Sequence, residues 1–162
     1  MTKSEINRTT KQWLYFKGFQ KGKYNTYACP LDGFDARVLF YKDRFREVYY
    51  IDVGFILRDD PNGWGQMRAM NQDSKYWHYG EMADGKKYIE KASFYYEQWN
   101  KDDYIQCLDK IYDVYIKPYF ELGFELLKTI AKDPTCGGKY GASQENPYFV
   151  HPHAVAKILG ME

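Results

Sequence analysis

The segment from Val48 to Leu57 has a strict period of two and constrains the fold more than any other part of the sequence. Successive side chains of an extended chain point to opposite faces, so every second residue shares a face. One face is entirely apolar and consists of Tyr49, Ile51, Val53, Phe55 and Leu57. The other face carries Tyr50, Asp52 and Gly54. Because a register shift of one residue would expose the whole apolar face, a half-buried strand with a well-defined register is predicted.

Further strand-like segments extend this strand into a sheet. Residues 34–42 repeat the period of two, and the run Pro30-Leu31-Asp32-Gly33 provides a turn before them. Residues 58–74 are rich in strand-breaking residues and are expected to form a long loop, and residues 81–91 are expected to form a polar connection. The pattern predicts an antiparallel sheet of about five strands, formed by segments 19–29, 34–42, 48–57, 75–79 and 92–99.

Helical spacing of apolar residues precedes these strands. Ser4 is expected to cap an N-terminal helix that ends at Gly18. Its predicted buried stripe consists of Ile6, Trp13 and Phe16.

Helical spacing also follows the strands. Asn100 is expected to cap a helix, because the acidic residues Asp102 and Asp103 after it suit the positive end of the helix dipole. Pro118 is expected to break or kink this segment, which continues to Asp133.

The fold class follows from this order of segments. Strands flanked by helices predict a single α+β domain, in which the N-terminal helix and the C-terminal helices pack on one side of an antiparallel sheet. A chain of 162 residues is long enough for one hydrophobic core. The predicted parts are an N-terminal helix at 1–18, the sheet at 19–99, C-terminal helices at 100–133 and an irregular tail with a short helix at 134–162.

Composition narrows the functional classes. The 23 basic and 22 acidic side chains nearly balance, which argues against a nucleic-acid binder. Basic and aromatic residues do alternate near the N-terminus, as on a surface that binds single-stranded nucleic acid. These residues are Lys11, Tyr15, Lys17, Phe19, Lys21, Lys23 and Tyr24.

The cellular location is also inferred from sequence. The N-terminus is charged and no segment is apolar enough to span a bilayer, so a cytoplasmic protein that does not contact membranes is expected. Cys29, Cys107 and Cys136 are widely spaced without a CxxC pair, which favours reduced thiols.

Five residues are candidates for ligand binding. Asp52, Tyr50 and Arg37 would be polar anchors if their face of the sheet formed an open groove. The alternative is that Asp52 is solvent-facing or caps a helix. His78, beside Trp77, would act as a general base if it faced a cleft next to a carboxylate, and otherwise it is hydrogen-bonded within the sheet.

No catalytic residues, metal site or cofactor are predicted. His151 and His153 lack a third ligand nearby, so a polar loop is expected there instead of a zinc site. The glycine-rich run at 136–141 lacks the order of residues found in a phosphate-binding loop.

Several short motifs resemble a bacterial family, the domain of unknown function 4304 family. They are Gly18-Phe19 after the opening helix, KGKYNTY, YYIDVGFIL and IKPYFELGFELL. The resemblance extends from Lys11 to about Ile130. It implies a helix, a strand that contains the Gly-Phe pair, further strands and C-terminal helices, and it implies no catalytic residues.

Three functions remain open. The leading hypothesis is a non-enzymatic protein-interaction domain, such as an immunity-type inhibitor of a bacterial toxin, because 17 Tyr and 4 Trp supply the residues that dominate interfaces. The alternative is a small-ligand-binding or hydrolytic domain with a cleft between sheet and helices. The third is a subunit that uses the same aromatic residues to form a homo-oligomer.

Overall fold

The computed structural model describes residues 1–45, 47–69, 78–81, 87–90, 93–133 and 148–161. Within them the chain has the predicted α+β architecture, with an N-terminal helix, an antiparallel sheet and C-terminal helices. The sheet is larger than predicted, with seven strands instead of about five. A separate ribbon has two more strands.

The sheet is entirely antiparallel over its described pairs. Its main path runs β1-β2-β3-β4-β5-β9, and β8 pairs with one end of β4. In chain order these strands are β1 (Gln20–Lys21), β2 (Thr26–Pro30), β3 (Phe34–Lys42), β4 (Val48–Leu57), β5 (Trp64–Arg68), β8 (Ser93–Tyr95) and β9 (Tyr148–Val150).

The two central strands have the predicted bounds. β3 pairs with β4 along its whole length, from Phe34 opposite Leu57 to Lys42 opposite Tyr49. The apolar face predicted for β4 is buried in the core. Because this face packs on the helices, a register shift of one residue would expose it, as the period of two predicted.

The prediction of a long loop at 58–74 is wrong for part of that range. Trp64–Arg68 forms β5, which pairs with β4 on one side and with β9 on the other. The glycines that favoured a loop instead allow close packing. A Cβ on Gly65 would lie 2.7 Å from the Phe55 ring, so only glycine fits this position of the strand.

The strands expected at 75–79 and 92–99 also differ from the prediction. His78–Glu81 (β6) pairs with Lys87–Glu90 (β7) in the two-stranded ribbon, not in the main sheet. β7 occupies part of the predicted polar connection. β8 ends at Tyr95, and a 3₁₀ turn follows over Tyr96–Gln98.

The N-terminal helix α1 spans Lys3–Phe16. Its N-cap is Thr2 and not Ser4, because the side chains of Thr2 and Glu5 form a reciprocal capping box. Its buried stripe includes Ile6, Trp13 and Leu14. Phe16 was expected in that stripe, but it is the last helical residue and is 84% exposed.

The C-terminal helical segment begins at the predicted cap, Asn100, whose side chain accepts from the backbone N–H of Asp103. The regular α-helix is interrupted immediately before Pro118, where the proline was expected to break or kink it. A π-helical segment lies immediately before, so the proline falls in the first turn of the next helix, where its missing N–H is tolerated. The segment comprises α2 (Lys101–Ile111), the π turn (Tyr112–Ile116), α3 (Lys117–Leu122) and α4 (Phe124–Lys132).

The break between α3 and α4 is at Gly123, whose φ of +54° is a conformation that favours glycine. A last helix, α5 (Pro152–Leu159), follows β9 and confirms the short helix predicted for the tail. The helices and the sheet meet at Phe34 of β3. Its ring contacts Tyr119 of α3 and Phe124 of α4.

Candidate functional site

Three of the predicted site residues share one face of the sheet. In the β3–β4 register, Tyr50 lies opposite Tyr41, Asp52 opposite Leu39 and Arg37 opposite Gly54. Because these positions differ by two along each strand, Asp52, Tyr50 and Arg37 project from the face that does not contain the main core. The sequence therefore placed the three residues together correctly.

This face is not an open groove at Asp52 and Tyr50, which are only 6% and 4% exposed. The Tyr41 hydroxyl donates to Asp52 Oδ2 at 2.9 Å, and the Tyr50 hydroxyl donates to Asp43 Oδ2 at 3.2 Å. The carboxylate and the phenol are thus held by protein partners. Nε of Arg37 is buried without a hydrogen-bond partner in the described part of the chain.

In the part of the chain that the structure describes, neither of the other two predicted residues lies on this face. Trp77 lies outside the described residues. His78 belongs to the separate β6–β7 ribbon, where its backbone lies opposite Glu90. The proposed pairing of His78 with Asp52 in one cleft therefore stays a prediction.

His151 and His153 form a cluster that differs from the polar loop predicted for them. His151 caps α5, and His153 Nε2 lies 3.0 Å from Oδ2 of Asp60. Lys157 Nζ reaches the same oxygen at 3.1 Å. Asp60 also accepts from the backbone N–H of Asn62. This cluster fastens α5 to the turn between β4 and β5, and it is a structural contact.

The most prominent exposed feature is a group of aromatic and lysine side chains at the C-terminal end of α1. We call it the aromatic–lysine surface. Its members are Lys11, Tyr15, Phe16, Lys21, Lys23, Tyr24 and Phe120, all exposed.

Two of the exposed rings are held in place by contacts with buried rings. Tyr15 packs edge-on against Tyr27 of β2, with ring centroids 6.2 Å apart. Phe120 of α3 packs edge-on against Phe19 at 6.0 Å. Between these two pairs lies a shallow cleft of about 480 Å³. It is lined by Tyr15, Gly18, Phe19, Gln20 and Lys21.

Lys17 holds the end of α1 in place beneath this surface. Its Nζ lies 4.2 Å from the centre of the Tyr112 ring and 5.9 Å from that of Phe16. The same ammonium group pairs with Asp109 at 3.0 Å, and Asp109 also accepts from the Trp13 indole. Cation–π contact and ion pairing together fix the helix end, so the position of Phe16 is determined although its ring is exposed.

Tyr24 lies at the tip of the hairpin that joins β1 to β2. The backbone N–H of Thr26 donates to the Lys23 carbonyl, and the two residues between them, Tyr24 and Asn25, have φ of +54° and +58°. Two central residues with positive φ are typical of a type I′ turn. Tyrosine is unfavourable there by about 1–2 kcal/mol. Its ring is nevertheless 93% exposed, so no burial within the protein offsets this cost.

The charge of this region is one-sided. Between residues 11 and 24 there are four lysines and no aspartate or glutamate. The whole chain, in contrast, carries a formal charge of only +1. Exposed rings and a segment with lysines but no acidic residues therefore coincide.

Sequence reasoning identified the alternation of Lys and Tyr but not the surface that it forms. Phe16 was expected in the core, so it was missed as part of an exposed surface. A left-handed Tyr24 was also not expected, because the preferred signal for this turn is Asn-Gly and not Tyr-Asn. The one available signal was the absence of acidic residues between 11 and 24.

No family model, curated protein or solved structure shows a significant match to this chain. The resemblance to the domain of unknown function 4304 family therefore stays a prediction. Among the described residues, no three His, Cys, Asp or Glu side chains are grouped so that they could hold a metal ion. In the part of the chain that the structure describes, no helix is both long and apolar enough to cross a bilayer.

Proposed function

We propose that this chain is a non-enzymatic protein-interaction domain that binds its partner through the aromatic–lysine surface. The observation that carries the proposal is the set of exposed rings on α1, α3 and the β1–β2 hairpin, with Phe16 84% and Tyr24 93% exposed. Aromatic rings that are held by their neighbours but open to solvent are typical anchors of protein interfaces. A cytoplasmic inhibitor that covers the working surface of a bacterial toxin is one role of this kind.

The grouping of these side chains supports a binding site over a set of unrelated exposed apolar residues. Scattered exposed apolar side chains are normal on proteins, but a cluster of them around a cleft marks an interaction site. Tyr15 and Phe120 each pack against a buried ring, so little side-chain freedom would be lost on binding.

The buried polar face supports an interaction domain over a hydrolase. Asp52 and Tyr50 are already hydrogen-bonded to Tyr41 and Asp43, and this arrangement serves stability. A hydrolytic site would need a nucleophile next to a base. The ligand-binding alternative would rest on His78 and Trp77.

Affinity capture from a lysate of the source organism tests the proposal. The bait is the wild-type chain, and the test variant carries Tyr15→Ser, Phe16→Ser and Tyr24→Ser. We expect one stoichiometric protein that the wild type retains and the variant loses. Retention of the same protein by the variant, or the absence of any stoichiometric protein, contradicts the proposal.

The matched control is Phe45→Ser. Phe45 is 87% exposed and lies next to Arg44, whose guanidinium is 5.5 Å from the ring, so it too is an exposed aromatic beside a cation. It lies in the β3–β4 turn, outside the aromatic–lysine surface. Capture should survive this substitution. Light scattering on the purified chain distinguishes the remaining outcome, in which the captured protein is a second copy of the chain itself.

A further inference from the structure

We infer that the aromatic–lysine surface recognises an acidic segment of a protein partner, with carboxylates placed to meet Lys11, Lys21 and Lys23. This inference rests on the proposed function, because it names the chemistry of what the same surface binds. The inference requires three ammonium groups that are available to a partner. These groups must also lie close to the exposed rings and belong to well-positioned elements.

The three lysines have no ion-pair partner among the described residues, and all three are exposed. Lys17 provides the contrast, because its ammonium group is already neutralised by Asp109. The positive charge of the surface is therefore divided into one structural cation and three available ones. Available cations next to this cleft attract carboxylates and steer the partner towards the rings.

Each available lysine is tied to a part of the surface. Nζ of Lys11 lies 5.6 Å from the centre of the Tyr15 ring. Lys21 lines the cleft, and Lys23 immediately precedes Tyr24 in the hairpin turn. An extended acidic segment that follows the cleft from α1 to the hairpin would meet the three cations in turn.

A second copy of this chain fits the surface poorly. In a two-fold symmetric dimer the same patch faces itself, so the lysines of one copy would approach those of the other. No aspartate or glutamate occurs between residues 11 and 24 to relieve that repulsion. An isologous dimer through this surface is therefore disfavoured.

Single-stranded nucleic acid is the other polyanion to consider. Such ligands stack their bases on open ring faces. Here Lys11 lies over one face of Tyr15 and Lys17 lies over one face of Phe16, which leaves a single face of each ring for a base. The chain also lacks the overall basic excess that phosphate binding requires. Carboxylates, which contact the ammonium groups without stacking, suit this geometry better.

The test uses defined probes. A copolymer of glutamate and tyrosine is titrated into the full chain at 50 mM and at 300 mM NaCl, and a dodecamer of deoxythymidine and a copolymer of lysine and tyrosine are titrated in parallel. Backbone amide resonances locate the contact. We expect the acidic copolymer to shift resonances of residues 11–24 and to bind at least tenfold more weakly at the higher salt.

Two matched triple variants distinguish loss of the three surface charges from loss of any three exposed lysine charges. Lys11→Gln, Lys21→Gln and Lys23→Gln remove the three available charges and keep every ring. Lys101→Gln, Lys110→Gln and Lys132→Gln remove three exposed charges from α2 and α4. We expect the first variant to bind the acidic copolymer at least tenfold more weakly and the second to bind it like the wild type.

Each remaining outcome overturns the inference. These outcomes are absence of binding by the acidic copolymer, equal binding by both variants, and tighter binding of the deoxythymidine dodecamer. If capture of a partner still depends on Tyr15, Phe16 and Tyr24, the proposed function stands and only the acidic chemistry is wrong. If that dependence is also absent, both fail.

Discussion

The carboxylate of Asp60 and the imidazole of His153 are in direct contact, with 3.0 Å between Oδ2 and Nε2. This contact joins the turn after β4 to α5, and Lys157 strengthens it one helical turn further along. Asp60 is buried, whereas the histidine and the lysine are partly exposed. A single carboxylate therefore links the turn after β4 to two side chains of the last helix.

This contact predicts a pH-dependent contribution to stability. Burial raises the pKa of Asp60, but hydrogen bonds from Lys157 and the Asn62 N–H, with the nearby His153, outweigh burial and lower the pKa below its ordinary value. A lowered pKa means that the contribution is fully present above the ordinary carboxyl range and is lost as pH falls through the folded-state pKa. Asp60→Asn should therefore lower Tm at pH 7, and its difference from wild type should shrink towards pH 3.

Thermal melts between pH 7 and pH 3 measure this difference. The neighbouring, exposed Asp59 provides the control. Its φ of +63° suits asparagine, so Asp59→Asn should change Tm little at any pH. A constant Tm difference between Asp60→Asn and wild type across the range would contradict the assignment.

The buried hydrogen bond between Thr10 and Tyr104 predicts unequal effects of two small substitutions. The Thr10 hydroxyl donates to the Ile6 carbonyl, so in its 2.7 Å contact with Tyr104 the tyrosine must be the donor. Tyr104→Phe leaves Thr10 with one bond and should cost about 1 kcal/mol. Thr10→Val leaves the Tyr104 hydroxyl buried and unpaired and should cost more, about 1–3 kcal/mol.

Urea denaturation of the two single variants and the double variant measures both effects. The two changes should be clearly non-additive, because the double variant removes both partners at once. Burial also raises the pKa of Tyr104, so this phenol should stay protonated in the folded chain at pH values where exposed tyrosines ionise. Additive free energies of unfolding would show that the hydrogen bond is absent.

Replacing Gly54 of β4 is expected to destabilise the protein more than the other single substitutions. A Cβ at this position would overlap the carbonyl oxygen of Gly65 and lie 2.8 Å from the Cα of Gln66. Both obstacles are backbone atoms of β5, which cannot rotate away. Gly54→Ala should therefore cost more than about 3 kcal/mol or prevent folding.

Gly22→Ala is the matched control for this effect. Its nearest obstacle is the Thr26 carbonyl oxygen at 3.5 Å, an ordinary van der Waals contact. Circular dichroism melts of the two alanine variants should show a large loss for Gly54 and a change within about 1 kcal/mol for Gly22. Similar Tm values for both would mean that β5 does not approach β4 so closely.

Replacing Tyr24 is expected to stabilise the protein and to weaken partner binding. Asparagine adopts positive φ more readily than tyrosine, so Tyr24→Asn should raise the free energy of unfolding by about 0.5–1 kcal/mol. If the exposed ring is an anchor, the same variant should lose partner binding. Urea denaturation paired with the capture experiment checks both, and a destabilised Tyr24→Asn would contradict the strain at this turn.

The sequence predicted those parts of the fold where a periodic pattern places a row of apolar side chains on one face. β3 and β4 had the predicted bounds because the alternation of apolar residues in Val48–Leu57 leaves one register. Asn100 and the final helix were also correct, because capping and helical spacing are local signals. Domain organisation and location stay predictions.

The parts that sequence missed depend on distant contacts. β5 was mistaken for a loop because residues that break strands precede it. Its one glycine, Gly65, allows the close approach of Phe55 in β4 and Val150 in β9. Asp60 and His153 are far apart in sequence, and no local sequence pattern predicts their contact. Asp52 and Tyr50 were correctly placed on one face, but their burial depends on the rest of the fold.

The pairing of β5 with β9 has a consequence for the order of events during biosynthesis. β5 can find β4 as soon as both have left the ribosome, but its other edge stays unpaired until everything from residue 69 to residue 147 has been synthesised. Such a late, long-range closure slows folding and exposes a strand edge on which nascent chains can associate. Cells that make this protein rapidly would therefore depend most on chaperones that shield the β5 edge.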